Sequence, residues 1–440
     1  MTHANVKGTL PGPKSKQMLE EWHKYEADVT GYQAQIVWDK AEGCIVTDVD
    51  GNTYIDWTSG VLVTNVGHCH PRMVKAVQES VTKLINNYES PTPFRVEAAK
   101  ALMAVMPEHF GKCFFLSTGA EATEAALRLM KRRTGKYEIL AFEGAFHGRT
   151  TGSAAAGGMA GPKKGYGPSL PGVIRAAYPN PYRDTLGFCN DGPEFKKYFA
   201  YLESLIGANS TGSLAGVIVE PYQGAGGFIF PPPGWLKCLE KWAHANGLLF
   251  TLDEVQSLYG RTGKMFAMEH DELKPDIITL GKAIGCGVPV SAVVATNDVF
   301  SCLGKGELSS TLGGNPVSSS VVPVILDIMK EEKLVENSAK IGAYIKEKLQ
   351  AIAAKNKYLG DVRGMGLVMG LEFVKDKATR EPAKELIRPF IDACAANGLL
   401  IGSVGVYGNV IRVAPPLVIT KEIADESLAC MEKALMSLSL

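Results

Sequence analysis

The sequence of 440 residues lacks several features that mark common classes of protein. No uninterrupted apolar run approaches the ~20 residues of a membrane-spanning helix, and the N-terminus has no apolar signal core. Lysine plus arginine equals aspartate plus glutamate at 46 each, and no block of like charge stands out. We therefore expect neither nucleic acid nor a membrane as the main partner.

Cysteine pairs and the usual catalytic signatures are also missing. The nine cysteines are dispersed, odd in number and never spaced C-x-x-C, which predicts reduced thiols in a cytoplasmic protein. No H-E-x-x-H occurs, and His68-Cys69-His70 is too tight to offer three side chains to one ion, so no metal site is expected. G-x-S-x-G and the nucleotide-binding glycine patterns are absent as well.

What the sequence does contain is an alternation of strand-like and helical segments from about residue 113. Helical segments Glu121–Arg133 and Trp235–Ala245 separate several short apolar runs, which predicts βαβ units and a largely parallel sheet. After about residue 330 the pattern changes to a long amphipathic helix, Glu331–Lys355, followed by a few strands and a terminal helix. This change predicts a separate, smaller α+β unit. The strand-like runs are Cys113–Ser117, Glu138–Phe142, Gly216–Glu220, Leu248–Asp253, Ile277–Leu280 and Ser291–Thr296.

Two of these runs end in residues that carry chemistry. Asp253 closes one run, and Lys282 follows another in the segment Leu-Gly-Lys-Ala. Ligand groups gather where parallel strands end. A lysine amine that forms a Schiff base and a carboxylate that keeps a pyridine nitrogen protonated are what pyridoxal 5′-phosphate (PLP) requires. The alternative is a solvated lysine in a glycine-rich loop.

Two further segments lie after strands and suit a phosphate-bearing ring. Ser-Thr-Gly119-Ala120 runs into a helix, whose N-terminal amides bind anions, although an ordinary helix cap would look the same. Phe146 could stack on a planar ring, or simply pack in the core. Arg149 could hold a carboxylate through two hydrogen bonds, or form a surface salt bridge.

Taken together and in order, the motifs resemble those of the class III (ω-) aminotransferases of the PLP fold-type I superfamily. The similarity spans roughly residues 30–435. It implies an α/β fold whose large domain (66–330) holds a mostly parallel, seven-stranded sheet, and a smaller α+β domain built from both termini (1–65 and 331–440). The motifs are Ser-Thr-Gly-Ala-Glu-Ala, Phe-His-Gly-Arg-Thr, Glu-Pro-Tyr-Gln-Gly, Leu-Asp-Glu-Val-Gln, Gly-Arg-Thr-Gly-Lys, Gly-Lys-Ala, Gly-Gly-Asn-Pro and Gly-Asp-Val-Arg-Gly.

The resemblance implies a role for each matching residue. Lys282 matches the catalytic lysine that binds PLP, and Asp253 matches the catalytic carboxylate paired with the pyridine nitrogen. Thr311 matches a threonine that reaches the phosphate of a neighbouring subunit, which implies a homodimer or a dimer of dimers. The remaining cofactor-binding matches are Gly119 and Ala120 at the phosphate, Phe146 stacked on the ring, Gln256 at the ring 3-oxygen, and His147 and Glu220 within the same motifs.

The substrate positions distinguish branches of the family. Arg149 and the small aliphatic Val61 resemble 4-aminobutyrate-type enzymes, and Arg412 matches the carboxylate-binding arginine. Ala225 is a departure, because the family has there a glutamate that pairs with this arginine. We expect transfer of an amino group from an ω-amino acid or amine to a keto acid. The alternatives are activity like that of dialkylglycine decarboxylase and amino-acid racemisation.

Overall fold

A computed structural model of the protein describes residues 2–31 and 33–438. The chain divides into two compact units. The first unit comprises Met1–Pro71, Gly260–Gly263 and Lys333–Leu440, and the second comprises Arg72–Tyr259 and Lys264–Glu332. Among the residues that the structure describes, no helix combines the length and apolar character required to cross a membrane.

Helices and strands alternate through much of the chain. The helices are α1 (Pro13–Tyr25), α2 (Ser59–Leu62), α3 (Pro71–Val81), α4 (Pro93–Val105), α5 (Gly119–Thr134), α6 (Thr151–Ala156), α7 (Lys196–Asn209), α8 (Trp235–Ala245), α9 (Asn297–Phe300), α10 (Pro316–Glu331), α11 (Leu334–Lys355), α12 (Ile387–Ala396) and α13 (Lys421–Ser437). The strands are β1 (Trp38–Glu42), β2 (Ile45–Asp48), β3 (Thr53–Asp56), β4 (Lys112–Leu116), β5 (Glu138–Phe142), β6 (Val173–Ala176), β7 (Leu214–Val219), β8 (Leu249–Asp253), β9 (Ile277–Leu280), β10 (Ser291–Ala295), β11 (Leu359–Met365), β12 (Val368–Phe373), β13 (Leu399–Leu400), β14 (Gly402–Val404) and β15 (Val410–Val413).

The second unit contains a seven-stranded sheet in the order β4-β10-β9-β8-β7-β5-β6. Strand β10 pairs antiparallel with both of its neighbours, β4 and β9, and the other adjacent pairs are parallel. Strands β7, β9 and β10 are buried along their whole length, as expected for strands covered on both faces. The predicted α/β fold with a mostly parallel, seven-stranded sheet is confirmed.

Helix α5 shows why the sequence folds this way beside the sheet. Its buried residues recur at helical spacing and include Ala122, Ala126 and Met130, so one face packs into the core against the strands. A capping box fixes its start, because the side chain of Thr118 accepts from the amide of Glu121 and the Glu121 carboxylate accepts from the amide of Thr118. The helix therefore begins directly after β4.

The first unit holds two four-stranded sheets, β1-β2-β3-β13 and β11-β12-β15-β14. The parallel pair β3–β13 joins an N-terminal strand to a C-terminal one. The predicted long helix Glu331–Lys355 is present but begins three residues later, because α10 ends at Glu331 and α11 runs over Leu334–Lys355. Helix α10 stops because Lys333 adopts a left-handed φ of 52°, which α-helical geometry does not allow.

Candidate active site

The candidate site lies in the second unit, at the edge of the sheet where the parallel strands end. Strands β4, β5, β7, β8 and β9 run in the same direction, so the residues after their carboxyl ends meet at one edge. A cavity of about 330 Å³ lies there. Nine of the predicted site residues line it together: Gly119, Ala120, Phe146, His147, Arg149, Glu220, Asp253, Gln256 and Lys282.

Lys282 lies two residues beyond the end of β9, in a strained backbone conformation. Its φ of 47° is left-handed, which is uncommon for a residue with a side chain. The preceding Gly281 passes close to Val255, since a Cβ at position 281 would lie 3.0 Å from a methyl group of that residue. Strain of this kind is maintained where the surrounding structure requires one orientation, and here it sets the orientation of the lysine in the cavity.

The carboxylate of Asp253, at the end of β8, is held from both sides. Its Oδ1 accepts hydrogen bonds from the amide of Val255 and the hydroxyl of Thr279, each at 3.0 Å. Its Oδ2 lies 2.7 Å from Nδ1 of His147. The hydrogen bonds fix the orientation of the carboxylate, and burial keeps water away from it.

His147 and Glu220 are two further buried titratable groups of this cavity, and each influences the other electrostatically. Burial lowers the pKa of His147, but the hydrogen bond and charge of Asp253 outweigh it and raise that pKa above its ordinary value. Burial raises the pKa of Glu220 to about 7. The Glu220 carboxylate also accepts from the amides of Phe146 and Gly224, at 2.9 and 3.0 Å. These hydrogen bonds therefore link the loop that carries Phe146 to the loop that follows β7.

The predicted phosphate turn lies at the start of α5. The amides of Gly119 and Ala120 come before the first α-helical hydrogen bond, which the amide of Ala122 donates to the carbonyl of Thr118. Gly119 also permits a close approach, because a Cβ there would lie 2.8 Å from Val255. First-turn amides and the positive end of the helix dipole suit a phosphate.

The residues present fit PLP. Besides the amine, the carboxylate, the aromatic ring and the helix N-terminus, the cavity has two buried polar atoms without a hydrogen-bond partner among the described residues, Nε2 of His147 and Oε1 of Gln256. Buried polar atoms are normally paired, so unpaired ones in a cavity indicate a polar ligand. The fold and this set of residues define a PLP-dependent enzyme of fold-type I.

Three predicted residues lie outside this cavity. Thr311 belongs to the second unit, where it is exposed in the segment before α10. Val61 and Arg412 belong to the first unit, where both line a separate cavity of about 470 Å³. Arg412 is only 6% exposed, and its Nε has no hydrogen-bond partner among the described residues. Burial lowers the pKa of Arg412 to about 10, so it remains charged at neutral pH.

Sequence reasoning missed two residues that hold the Lys282 cavity in shape. Thr279 lies inside β9 and donates to Asp253, and Val255 lies against the glycines at positions 119 and 281. Neither residue stands out in the sequence, because a threonine in a strand and a valine after one are ordinary. Only the pairing of β8 with β9 brings Thr279 beside Asp253.

Comparison with known proteins agrees with this class and narrows it. The aminotransferase class-III family matches residues 27–435, and the chain belongs to that family. It is 34% identical over 436 residues to an alanine/serine racemase of Pyrococcus horikoshii, covering 97% of this chain and 91% of the relative. It is 35% identical over 430 residues to a 4-aminobutyrate aminotransferase of Mycobacterium bovis, covering 95% of each.

Solved structures give the same result. An (S)-enantioselective ω-transaminase from Thermomicrobium roseum superimposes with a TM-score of 0.90 at 28% identity, covering 98% of this chain and 100% of that one. The predicted family, the PLP cofactor and the transaminase class are therefore confirmed.

Proposed function

We propose that this aminotransferase moves an amino group from an ω-amino acid of the 4-aminobutyrate type, or a related amine, to a keto acid. One observation carries the proposal: Arg149 lines the same cavity as Lys282, and its side chain is exposed and forms no ion pair among the described residues. A guanidinium there can bind the distal carboxylate of a donor whose amine reaches the lysine.

Each residue of the cavity has a proposed part in the reaction. PLP, when bound, supplies a ring that withdraws electrons from the substrate carbon bearing the amine. The Lys282 amine moves the proton at that carbon. Asp253, held by Thr279 and His147, places a negative charge for a protonated ring nitrogen, and the Gln256 amide serves the ring oxygen. Phe146 would cover the ring, and the amides of Gly119 and Ala120 would hold the phosphate.

The second substrate position is Arg412, which the family resemblance assigns to a carboxylate next to the reacting carbon. Ala225 offers no carboxylate to pair with it. We propose that Arg412 takes the carboxylate of the keto acid acceptor. Because Nε of the buried Arg412 has no partner among the described residues, binding of an anion should be favourable, since charge-assisted hydrogen bonds contribute about 1.5–3 kcal/mol each.

Amino-acid racemisation is the second candidate, because one relative of 34% identity is an alanine/serine racemase. The deciding experiment is a screen of amino donors against pyruvate and 2-oxoglutarate with chiral analysis of all products. A new keto acid or aldehyde together with an aminated acceptor supports the proposal. The opposite enantiomer without amino transfer would replace it with racemisation, and release of CO₂ would replace it with decarboxylation.

We further propose a two-fold homodimer, or a dimer of dimers, acting in the cytoplasm. Thr311 carries this proposal, since it is exposed and does not line the cavity of its own chain. A role at the phosphate then requires a second subunit. Sedimentation of the holoenzyme should give twice or four times 47.2 kDa. A fully active monomer would contradict the assembly without affecting the amino-transfer proposal.

A further inference from the structure

The surroundings of Arg412 contain an unusual pair of neighbours. In the sheet β11-β12-β15-β14, Arg412 of β15 lies directly opposite Gly370 on β12 and Gly402 on β14. Cross-strand partners project from the same face of a sheet, so a long side chain normally competes with theirs for space. Because both of these partners are glycines, neither places a side chain directly beside Arg412.

On the side of β14, the guanidinium of Arg412 occupies the space that a side chain at position 402 would fill. A Cβ at position 402 would lie 2.7 Å from Nη2, 2.8 Å from Nε and 2.9 Å from Cζ of Arg412. The guanidinium thus lies against the backbone of Gly402, where even one methyl group would displace it. No left-handed φ requires glycine at position 402, and a side chain added there would have to move the guanidinium.

Val61, which also lines this cavity, belongs to a strained segment of backbone. Ser59, Gly60, Val61 and Leu62 all have positive φ, and the φ of 98° at the β-branched Val61 is a strong outlier. The hydroxyl of Ser59 braces this segment by donating to the carbonyl of Ala414 at 2.6 Å. Backbone strain in the same cavity as a buried charge is typical of a ligand site.

The charges around the cavity favour an anion. Its described lining includes Lys384 and Arg388 but no acidic side chain. Arg388 is already paired with Asp392, and Arg412 has no such partner among the residues described. Asp56 influences Arg412 electrostatically, but its own oxygens bond to Thr58 and His68.

We propose that Gly402 is a positioning residue for substrate recognition: by lacking a side chain it seats the Arg412 guanidinium to bind the α-carboxylate of a keto acid or α-amino acid. The assignment of that carboxylate to Arg412 rests on the proposed function. The role of Gly402 does not, because it follows from the contact between the two residues.

The test compares Gly402→Ala with Gly207→Ala, a control that adds the same methyl group where nothing lies within 4 Å. In Gly402→Ala the KM for pyruvate should rise more than roughly tenfold, the usual result of losing a charge-assisted contact. The KM for the ω-amino donor should rise much less. Equal losses for donor and acceptor, or losses matched by Gly207→Ala, would overturn the proposal.

A second readout does not depend on turnover. Calorimetric titration of the holoenzyme with propionate, which cannot react, should show weaker binding in Gly402→Ala than in wild type. In an Arg412→Met background, Gly402→Ala should have no further effect on the affinity for propionate. Any loss of thermal stability that Gly402→Ala causes in the wild-type background should also disappear there. Additive effects in that background would mean that Gly402 acts independently of Arg412, which contradicts the proposal.

This readout also separates the two hypotheses. If the wild type transfers no amino group from any donor, the proposed function fails. Propionate titration of the wild type, Gly402→Ala, Arg412→Met and the double variant would still decide whether Gly402 positions Arg412.

Discussion

The Lys282 cavity of the second unit and the Arg412 cavity of the first unit each contain a buried charge, but the two charges differ in the partners that the protein gives them. Asp253 receives hydrogen bonds from Val255 and Thr279 and pairs with His147. Arg412 is just as buried, yet its Nε has no partner among the described residues and no ion pair with it is formed there. The protein itself supplies partners for the charge of Asp253, whereas the charge of Arg412 is left to be paired by a ligand.

This difference predicts two kinds of mutational behaviour. Residues that the protein holds in place are preorganised, so they should act on every substrate alike. A buried charge without a partner costs folding free energy, which an anionic ligand recovers on binding. Substitution of Lys282, or of Asp253 with its fixed hydrogen bonds, should therefore lower activity with all donors. Substitutions around Arg412 should discriminate between substrates with and without a carboxylate.

The largest effect is expected for Lys282→Ala. Loss of a positioned acid–base group lowers turnover by about 10²–10⁴-fold, and the loss should be similar for every donor. Lys264→Ala, which removes an exposed lysine of the same unit, is the control. Borohydride reduction of the wild-type holoenzyme followed by peptide mass mapping should find the cofactor on Lys282. Near-normal turnover in Lys282→Ala would end the assignment of this residue.

The next largest effect is expected on stability, in a comparison of two buried arginines of the first unit. Arg261 is fully buried and donates to the carbonyls of Leu367 and Pro415, at 3.0 and 2.6 Å, and to Asn65 at 2.6 Å. Arg261→Met leaves these acceptors unsatisfied, so it should cost at least about 3 kcal/mol of stability. Arg412→Met removes a buried charge that forms no ion pair in the described part of the chain, so it should cost little stability or even stabilise the protein.

Thermal unfolding of the two variants beside wild type measures this contrast. Arg261→Met should unfold at a clearly lower temperature, whereas Arg412→Met should unfold near the wild-type temperature. If Arg412→Met were the less stable of the two, Arg412 would have a structural role and the contrast between the cavities would fail.

The sequence predicted the Lys282 cavity better than the Arg412 cavity, for a physical reason. The order of strands and motifs is enough to bring Asp253 and Lys282 together, because parallel strands end at one edge of a sheet. The space beside Arg412 depends on register: Gly402 and Gly370 are separated from it by 10 and 42 positions in the chain, and only strand pairing makes them neighbours. No local pattern marks either glycine.

A smaller effect is expected from pH. Burial raises the pKa of Glu220 from its ordinary 4.5 to about 7, so the folded state binds a proton that the unfolded state has released. Stability should therefore fall as the pH rises from about 4.5 to 7, by at most roughly 3 kcal/mol from this group. Glu220→Gln cannot titrate, so its stability deficit relative to wild type should shrink across that window.

Thermal unfolding of the holoenzymes at pH 5, 6 and 7 is the measurement. The control is Glu203→Gln on the exposed side of α7, for which the difference from wild type should not narrow in this way. A constant difference between Glu220→Gln and wild type would show that Glu220 is ionised in the folded protein throughout.

The smallest and most discriminating effect is expected for Arg149→Met, because Arg149 is exposed and shares the cavity with Lys282 rather than supporting it. If it binds the distal carboxylate of an ω-amino acid, its loss should lower kcat/KM for 4-aminobutyrate more than roughly tenfold. The loss for butylamine, which has the same chain without a carboxylate, should be much smaller.

Arg412→Met should instead raise the KM for the keto acid. Equal losses for both donors in Arg149→Met would make Arg149 a structural residue. If selectivity for carboxylated donors disappears only in Arg412→Met, the enzyme is better assigned to α-amino acids, because Arg412 would then be the residue that recognises the carboxylate.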